Sequence, residues 1–501
     1  MSKQRLYSMM TADEAAYLIP DGSTVAFSGF SPAGAAKVVP RALAERARSL
    51  HRQGEPFKIR VLTGASVDYN IDEELAGAEA ISWRAPYQSS PTIRDQINRQ
   101  EVEYVDMHLS HVPQTVAFGF FGNIDFAVIE ATEVTPDGRV YLTTSIGASP
   151  TYLKYADKVI IELNRHHSVR LREMADIQLL LPPPHRNAIP IFHPLTKSGW
   201  PYAVVDPKKI VAVVENEEPD HVASFSSPDD TSEKIASHVV SFLIDQLREG
   251  RIPSQFLPLQ AGVGNTANAV MLALGQNPDI PPFLMYSEVF QDALVTLMEE
   301  GRLLGASATS LTLTDPFLQR VYENMDYFIP RIVLRPQELS NNPGIIRRLG
   351  VIALNTALEM DIYGNVNSSH VFGTSIVNGV GGSGEFTRNS YLSFMMCPST
   401  GKGGKVSRVV PMVPHVDNNE HSIQVVVTEQ GLVDLRGLGP MQRAVKIIEN
   451  CAHPAYRQPL YKYIEGAKRG HIPHDLEHCY QWHVNLMKYG EMIPHLDADE
   501  E

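Results

Sequence analysis

Glu288 is a carboxylate whose surroundings in the sequence suggest chemistry. It lies in LMYSEVFQD, residues 284–292, at the end of an apolar run and just before a segment that looks helical. A carboxylate in this position can hold a ribose hydroxyl of a dinucleotide, or it can act as a nucleophile. The glycine-rich segments of the chain bear on which role applies.

The segment GVGNTA, residues 262–267, follows the apolar run FLPLQA and opens a helix-like stretch. It fits the pattern GxGxxA, and Glu288 follows Ala267 by 21 residues. That spacing is typical of a dinucleotide site, in which a helix N-terminus faces the pyrophosphate. Two other interpretations stay open at this point. The glycines can simply form a tight strand-to-helix turn, or their backbone N–H groups can stabilise an oxyanion.

Two further segments are dense in glycine: NGVGGSGEF, residues 378–386, and GKGGKVSR, residues 401–408. Glycine permits positive φ and lets backbone N–H groups approach a ligand closely. Lys402, Lys405 and Arg408 add positive charge that suits a phosphate, although hairpin turns with solvated lysines are an equal alternative. The GxxxxGK[ST] motif is absent from the sequence, so ATP or GTP chemistry is not indicated.

The elements that must position these residues alternate along the chain. TVAFSGF, KIRVLTGA, IDFAVIEA, KVIIEL and KIVAVV have the composition of strands, and amphipathic segments such as AAKVVPRALAERARSL lie between them. Such alternation predicts an α/β fold built on a largely parallel sheet.

The two halves of the chain share a pattern. AVIEATEVTPDGRV, residues 127–140, aligns with ALNTALEMDIYGNV, residues 353–366, and indicates a buried strand, a turn and a second strand used twice. The polar segment 215–234 is the best candidate linker. We therefore predict two tandem related open α/β domains, residues 1–222 and 223–501, with the active site between them.

Composition limits the functional class. The 501 residues include 57 acidic and 43 basic side chains, and a formal net charge of −14 argues against a nucleic-acid-binding surface. The three cysteines show no CxxC spacing and fit a reducing cytoplasm. The sequence has neither the pattern of a signal peptide nor an apolar run that would cross a membrane.

Several blocks together resemble one protein family. They are TGAS (63–66), PYQSSPTIR (86–94), GVGNTANAV (262–270), MYSEVFQD (285–292), NGVGGSGEF (378–386), GKGGKVSRVVPMV (401–413) and VVTEQGLVDLRG (426–437). The combination resembles the acetyl-CoA hydrolase/transferase family of class I CoA-transferases, and within it the succinyl-CoA:acetate CoA-transferases. The resemblance runs through both halves and implies tandem α/β domains of the CoA-transferase type, usually assembled as a homodimer.

The resemblance also implies roles for individual residues. Glu288 matches the family's catalytic glutamate, Asn341 a position near the reacting carbonyl, and Glu429 a further active-site carboxylate. The predicted oxyanion hole and acyl-CoA site involve Gly382 and the backbone of Val263, Gly264, Asn265, Thr266 and Ala267. Asn378 and Lys402 match positions that contact CoA. Ser66 and Thr92 fall where the family lines its small carboxylate pocket.

A CoA-transferase must keep the energy of a thioester while it exchanges the acid. A carboxylate nucleophile does so because its anhydride and thioester products stay activated. We predict ping-pong transfer of CoA between a short-chain acyl-CoA and acetate or succinate, with no cofactor beyond the CoA substrate. Three alternatives remain: an acetyl-CoA hydrolase on the same scaffold, a dinucleotide-binding oxidoreductase, and a non-catalytic acyl-CoA sensor.

HIPHDLEHCYQWH, residues 471–483, is rich in potential metal ligands. His474 and His478 have the i,i+4 spacing of ligands on one helix face. The stretch lacks the HExxH order and lies outside the family blocks, so surface histidines are the simpler interpretation. We predict no metal site.

Overall fold

The computed structural model describes residues 7–224 and 228–493. The described residues fall into two compact units. The first unit lies within Met1–Ser224, Leu284–Leu349 and Asn378–Glu385, and the second within Phe225–Phe283, Gly350–Val377 and Phe386–Glu501. These units follow contacts in space rather than continuous sequence, and the domain division at 222/223 stays a prediction. Part of the predicted linker, residues 225–227, lies outside the described residues.

The strands, in chain order, are β1 (Thr24–Phe27), β2 (Phe30–Ser31), β3 (Ile59–Leu62), β4 (Ala65–Ser66), β5 (Ile81–Ala85), β6 (Glu103–Tyr104), β7 (Phe126–Val134), β8 (Arg139–Leu142), β9 (Lys158–Asn164), β10 (Ala203–Val204), β11 (Ile210–Asn216), β12 (Leu259–Ala261), β13 (Phe283–Tyr286), β14 (Val289–Gln291), β15 (Leu303–Ala308), β16 (Ser310–Thr312), β17 (Ile332–Leu334), β18 (Ile352–Thr356), β19 (Glu359–Asp361), β20 (Val366–Asn367), β21 (His370–Val371), β22 (Ser375–Ile376), β23 (Leu392–Met396), β24 (Thr400–Gly401), β25 (Val406–Ser407), β26 (Val409–Val410), β27 (Val425–Thr428) and β28 (Gly431–Asp434).

The α-helices are α1 (Ala12–Tyr17), α2 (Val38–Arg52), α3 (Leu75–Gly77), α4 (Pro91–Asn98), α5 (His111–Ala117), α6 (Ser149–Tyr155), α7 (Asp230–Arg248), α8 (Asn265–Gln276), α9 (Asp292–Glu299), α10 (Asp315–Glu323), α11 (Met325–Phe328), α12 (Gln337–Ser340), α13 (Pro343–Leu349), α14 (Ser383–Asn389), α15 (Pro440–Asn450), α16 (Pro454–Gly466) and α17 (Gln481–Tyr489). No helix within the ranges 7–224 and 228–493 has both the length and the apolar character needed to span a bilayer.

A largely parallel sheet forms the centre of the first unit. Its order is β10-β8-β7-β1-β3-β5-β6, and β9 and β11 extend it beside β7. The five strands predicted from the sequence are confirmed as β1, β3, β7, β9 and β11, and the pairs among them are parallel. All of β1 is buried, as is most of β7, which explains their continuous apolar sequences.

The first unit also takes up strands from the second half of the chain. β15 pairs in parallel with β17, and β14 pairs in parallel with β16. Glu288 occupies the short connection between β13 and β14. Short strands with apolar, buried residues on either side therefore fix the backbone that carries this carboxylate.

The second unit has its own parallel strands. β12, β18, β23 and β27 are neighbours in that order and pair in parallel, and β28 returns antiparallel to β27. Helix α7 begins after Asp229, whose side chain accepts a hydrogen bond of 2.8 Å from the Ser232 N–H. Its core joins strand residues to helix residues, including Met360, Met395, Val426, Ile447 and Leu460.

The strand–turn–strand pattern predicted for both halves is confirmed. In the first unit β7 pairs antiparallel with β8, and in the second β19 pairs antiparallel with β20. The aligned glycines, Gly138 and Gly364, have φ angles of 79° and 100°. Glycine is required at both turns because other residues rarely adopt that conformation.

Candidate active site

The backbone of Glu288 is held by two neighbouring strand ends. Its carbonyl accepts hydrogen bonds from the N–H groups of Thr309 (2.7 Å) and Ser310 (3.2 Å), and the preceding Ser287 N–H donates to Ser307 at 2.9 Å. The residues on either side of Glu288 are buried, while Glu288 itself is half-buried. Glu288 is thus the partly accessible residue between two buried neighbours.

The Glu288 carboxylate has a specific donor. Asn341 Nδ2 lies 2.6 Å from Glu288 Oε1. Asn341 is fully buried, and its Oδ1 accepts a hydrogen bond of 2.7 Å from Ser340 Oγ, which orients the amide. Burial raises the pKa of Glu288 to about 7, against the opposing effect of the Asn341 hydrogen bond. The carboxylate therefore ionises near neutral pH, where it can act as a nucleophile.

Gly382 lies directly against this carboxylate. A Cβ at position 382 would overlap the Glu288 carboxylate and lie 2.6 Å from Asn341 Nδ2. Its segment is tied down by neighbours, since the Val380 N–H donates to Asp106 at 2.9 Å and Tyr104 OH donates to the Asn378 carbonyl at 2.9 Å. Glycine at 382 is required by space, and the loop has little freedom to move away.

Tyr87 lies beside the same loop. A Cβ at Gly381 would lie 3.5 Å from the Tyr87 ring, which also packs against the small apolar cluster of Phe30, Ala65, Leu109 and Val289. Burial raises the pKa of the Tyr87 hydroxyl to about 12, so it stays protonated. An aromatic wall and a neutral hydroxyl therefore border the segment that contacts Glu288.

Sequence reasoning missed Glu385. It is 4% exposed, and its Oε2 accepts a hydrogen bond of 2.8 Å from the same Asn341 Nδ2 that contacts Glu288. Its Oε1 accepts the Ser110 N–H at 2.7 Å. Burial raises the pKa of Glu385 to about 8, although the hydrogen bonds from Ser110 oppose the change. A carboxylate inside the glycine-dense block GGSGEF was the available signal.

The predicted pocket residues Ser66 and Thr92 also lie in the first unit. Ser66 is fully buried in β4, where its N–H donates to Thr63 Oγ1 at 3.2 Å and its hydroxyl accepts the Asp68 N–H at 3.3 Å. Thr92 is half-buried in α4. The hydrogen bonds of Ser66 thus serve its own turn, and the pocket role of both residues stays a prediction.

The second unit contains the GVGNTA turn. Gly264 precedes α8 with a φ of 130°, and its carbonyl accepts the Asn268 N–H at 3.0 Å. Val263 and Asn265 are exposed, and Ala267 is fully buried. Thr266 Oγ1 lies 3.4 Å from Ser232 Oγ. The predicted strand, glycine turn and helix are confirmed, because β12 ends at Ala261 and α8 begins at Asn265.

Glu429 and Lys402 also lie in the second unit. The Ser399 N–H donates to Glu429 at 2.7 Å, and Ser399 stands directly before the β24–β25 hairpin that exposes Lys402. Burial raises the pKa of Glu429, but hydrogen bonds from Ser399 and Gln430 outweigh it and hold that pKa below its usual range. Glu429 is therefore an ionised anchor at the base of the lysine-bearing hairpin.

The helical spacing proposed for the C-terminal histidines is wrong. His474 and His478 precede α17: His474 forms an isolated β-bridge with Lys468, and His478 lies in a turn. Tyr463 OH contacts His474 Nδ1 at 2.8 Å, and Asp475 contacts His478 Nδ1 at 2.8 Å. His483 instead bonds Glu359 at 2.9 Å. Asp475 and Tyr463 supply polar partners that favour an irregular segment over a continued helix.

Two other clusters contain metal-ligand side chains. His370, His415 and Asp417 form a half-exposed cluster in the second unit. Glu130, His167 and Asp220 form a buried cluster in the first, where the Lys37 ammonium lies 2.5 Å from Glu130 and 3.0 Å from Asp220. Lys37 already supplies the compensating charge in the buried cluster.

The chain belongs to the acetyl-CoA hydrolase/transferase family. The family's N-terminal domain matches residues 1–215, and its C-terminal domain matches residues 318–464. The predicted family is thereby confirmed, and the protein is an enzyme of this CoA-transferase and hydrolase class.

Individual relatives agree with this assignment. The chain is 55% identical to propanoyl-CoA:succinate CoA transferase of Escherichia coli (strain K12), over 97% of this chain and 99% of that protein. It is 42% identical to succinyl-CoA:acetate CoA-transferase of Clostridium kluyveri, over 97% of this chain and 90% of that protein. Both similarities extend through the segments that carry Glu288, Asn341 and Gly382.

A solved structure agrees on the fold. The crystal structure of 4-hydroxybutyrate CoA-transferase from Porphyromonas gingivalis matches with a TM-score of 0.62 at 21% identity, over 91% of this chain and 97% of that chain. At this identity the likeness concerns the fold alone. The predicted α/β fold of the CoA-transferase type is confirmed.

Proposed function

We propose that the protein transfers CoA between a short-chain acyl-CoA, such as succinyl-, acetyl- or propionyl-CoA, and a free carboxylate such as acetate or succinate. One observation carries the proposal. The Glu288 carboxylate, with a pKa of about 7, accepts the Asn341 amide N–H at 2.6 Å and lies directly against Gly382. An activated carboxylate in an enzyme of this family has the properties of the transferring nucleophile.

In the proposed reaction Glu288 attacks the thioester carbonyl and expels CoA as a thiolate, which leaves a mixed anhydride. The thiolate then attacks the anhydride at the Glu288 carbonyl, so the first acid departs as a carboxylate and a glutamyl-CoA thioester forms. The incoming carboxylate reverses both steps, and Glu288 is regenerated. Each step exchanges one anion for another, so no net proton is needed.

Each addition creates an oxyanion, and N–H donors must stabilise it. We assign this role to the backbone of Gly382 and of Val263 to Ala267, with Asn341 near the reacting carbonyl. Loss of one such donor typically lowers the rate by roughly 100- to 1,000-fold. Asn378 and Lys402 are assigned to CoA, Ser66 and Thr92 to the acid pocket, and Glu429 to active-site support.

The relatives support the choice of substrates. Their names give propanoyl-CoA with succinate and succinyl-CoA with acetate, at 55% and 42% identity. We propose small acids of this range as partners, with the CoA thioester as the chain's ligand and no additional cofactor. A cytoplasmic homodimer that binds neither nucleic acid nor membranes is part of the same proposal.

The decisive experiment traps the thioester on Glu288. The protein is mixed with acetyl-CoA and then with borohydride, and the Glu288 peptide is analysed by mass spectrometry. We expect the mass loss of the alcohol formed by reduction of a glutamyl thioester. Glu288→Gln, treated identically, is the matched control and should stay unmodified. An unmodified wild-type Glu288 in protein that still binds acetyl-CoA would refute the transferase mechanism.

Hydrolysis is the second candidate, because the family includes hydrolases and Glu288 is half-buried rather than sealed. Water that reached the acyl-enzyme would release the acid without transfer. Acetate released from acetyl-CoA, measured with and without added succinate, separates the two activities. A transferase requires the acceptor for turnover, whereas a hydrolase does not.

A further inference from the structure

The amide of Asn341 is shared by two carboxylates. Its Nδ2 lies 2.6 Å from Glu288 Oε1 and 2.8 Å from Glu385 Oε2. Its Oδ1 accepts from Ser340 Oγ at 2.7 Å. Both N–H groups of the amide therefore have an acceptor, and its oxygen has a donor.

Glu385 is itself held in place. Its second oxygen accepts the Ser110 N–H at 2.7 Å, just before α5, and its own N–H donates to the Gly382 carbonyl at 3.1 Å. Nearby, Gln337 Nε2 donates to the Leu109 carbonyl at 2.8 Å and fixes the chain before Ser110. Glu385 thus connects the α5 start, the glycine loop and Asn341.

We propose that Glu385 is a positioning residue for the transfer reaction: it binds one N–H of Asn341 and thereby aims the other N–H at the nucleophilic oxygen of Glu288. The inference rests on the proposed function of Glu288. It assigns Glu385 no contact with the substrate.

Asn341 needs a second partner because an asparagine amide rotates easily about its terminal torsion. The terminal amide torsion has a broad energy profile, so one hydrogen bond to Ser340 leaves it room to turn. A second acceptor opposite Glu288 restricts that rotation. Displacement of a catalytic group by about 1 Å can cost on the order of 100-fold in rate.

Glu385 can serve in this way without adding a competing charge. Burial raises the pKa of Glu385 to about 8, and Glu288 contributes to the rise. At neutral pH Glu385 therefore carries a proton, while Glu288 is partly ionised. A nearby permanent anion would instead disfavour the anionic steps at Glu288.

A double-mutant cycle tests the proposal. Glu385→Ala, Asn341→Ala and the double variant are compared by kcat and KM in the exchange of CoA between acetyl-CoA and succinate. We expect Glu385→Ala to lower kcat by roughly 10- to 100-fold and to change KM by less than about 3-fold. The double variant should be no more than about 2-fold slower than Asn341→Ala, because Glu385 acts through Asn341.

Glu338→Ala is the matched control. Glu338 is another buried carboxylate, 7% exposed on α12, and it pairs with Arg186 at 3.4 Å. Glu338→Ala should lower kcat only slightly. In the double variant with Asn341→Ala, the two reductions in kcat should multiply, as for two independent residues. An independent, multiplicative effect of Glu385→Ala, or an unchanged kcat, would overturn the proposal. If circular dichroism shows that Glu385→Ala is unfolded, Glu385→Gln replaces it in the cycle.

A readout without activity separates this proposal from the transferase mechanism. Crystal structures of the wild type and Glu385→Ala should show Asn341 Nδ2 within hydrogen-bond distance of Glu288 Oε1 in the first and turned away in the second. An Asn341 amide unmoved in the variant would contradict the positioning role even in an active enzyme. A moved amide in a protein that lacks exchange would support the positioning and refute only the proposed function.

Discussion

At the scale of single residues, the site depends on the absence of a side chain at position 382. Gly382 does not have a left-handed φ, so its conformation does not require glycine. Glycine is required by the lack of space, because a Cβ there would overlap the Glu288 carboxylate and crowd Asn341. Any larger residue must displace the nucleophile or its donor.

We therefore expect Gly382→Ala to lower kcat by roughly 100-fold or more, the cost of displacing a catalytic group by about 1 Å, with little change in melting temperature. Steady-state exchange kinetics and thermal unfolding measure the two effects. Gly77→Ala is a suitable control because the nearest atom to its added Cβ is 3.9 Å away. Wild-type turnover in Gly382→Ala would remove this loop from the mechanism.

At the scale of elements, the β24–β25 hairpin is a short anchored structure that exposes the positively charged Lys402. Its strands pair antiparallel through Thr400 with Ser407, and Gly403 and Gly404 at its tip have φ angles of 65° and 89°. The Glu429 carboxylate anchors Ser399 at its base. Lys402, with a φ of 49°, is exposed at the turn.

An exposed lysine on an anchored hairpin should contribute to binding rather than to the chemical step. Lys402→Ala is expected to raise KM for acetyl-CoA by about 3- to 10-fold, as for loss of one charge-assisted hydrogen bond, with kcat nearly constant. The effect should shrink at high salt because exposed charges are screened. Lys462→Ala, at an exposed lysine on α16, is the control and should leave KM unchanged. An equal effect at both lysines would argue against a specific CoA contact.

At the scale of the whole molecule, several carboxyl groups are buried with raised pKa values. Burial raises the pKa of Glu162, Glu288 and Glu338 to about 7, and that of Glu385 to about 8. In the second unit it raises the pKa of Asp361 to about 6. The folded protein therefore holds protons that the unfolded chain has already released near neutral pH.

This difference sets the direction of the pH dependence. A carboxyl group with a raised folded pKa contributes stability that is present below its unfolded pKa and is lost as pH rises through its folded pKa. For Glu338 the window runs from about 4.5 to about 7. Glu338→Gln should remove the loss of stability that ionisation of Glu338 causes as pH rises, which is on the order of 1–3 kcal/mol. The curve of melting temperature against pH should therefore become flatter in this variant. An unchanged slope in the variant would refute the burial argument at this residue.

Local patterns predicted much of the scaffold. The strands β1, β3, β7, β9 and β11 follow from continuous apolar runs, because a parallel strand buried on both faces needs them. The turn before α8 follows from its glycines, and the repeated strand–turn–strand units follow from the aligned positions Gly138 and Gly364. The helix predicted for His474 and His478 is wrong because Tyr463 and Asp475 hold these residues in an irregular segment before α17.

The sequence by itself determined the α/β elements, the glycine turns and, through its resemblance to a family, Glu288 as the candidate nucleophile. Only the tertiary structure decided how that carboxylate is held. Asn341 is 53 positions from Glu288, and Glu385 is 275 positions from the Ser110 N–H that it accepts. Periodicity and propensity describe neighbours along the chain, whereas these hydrogen bonds and the raised pKa values arise from burial between distant segments.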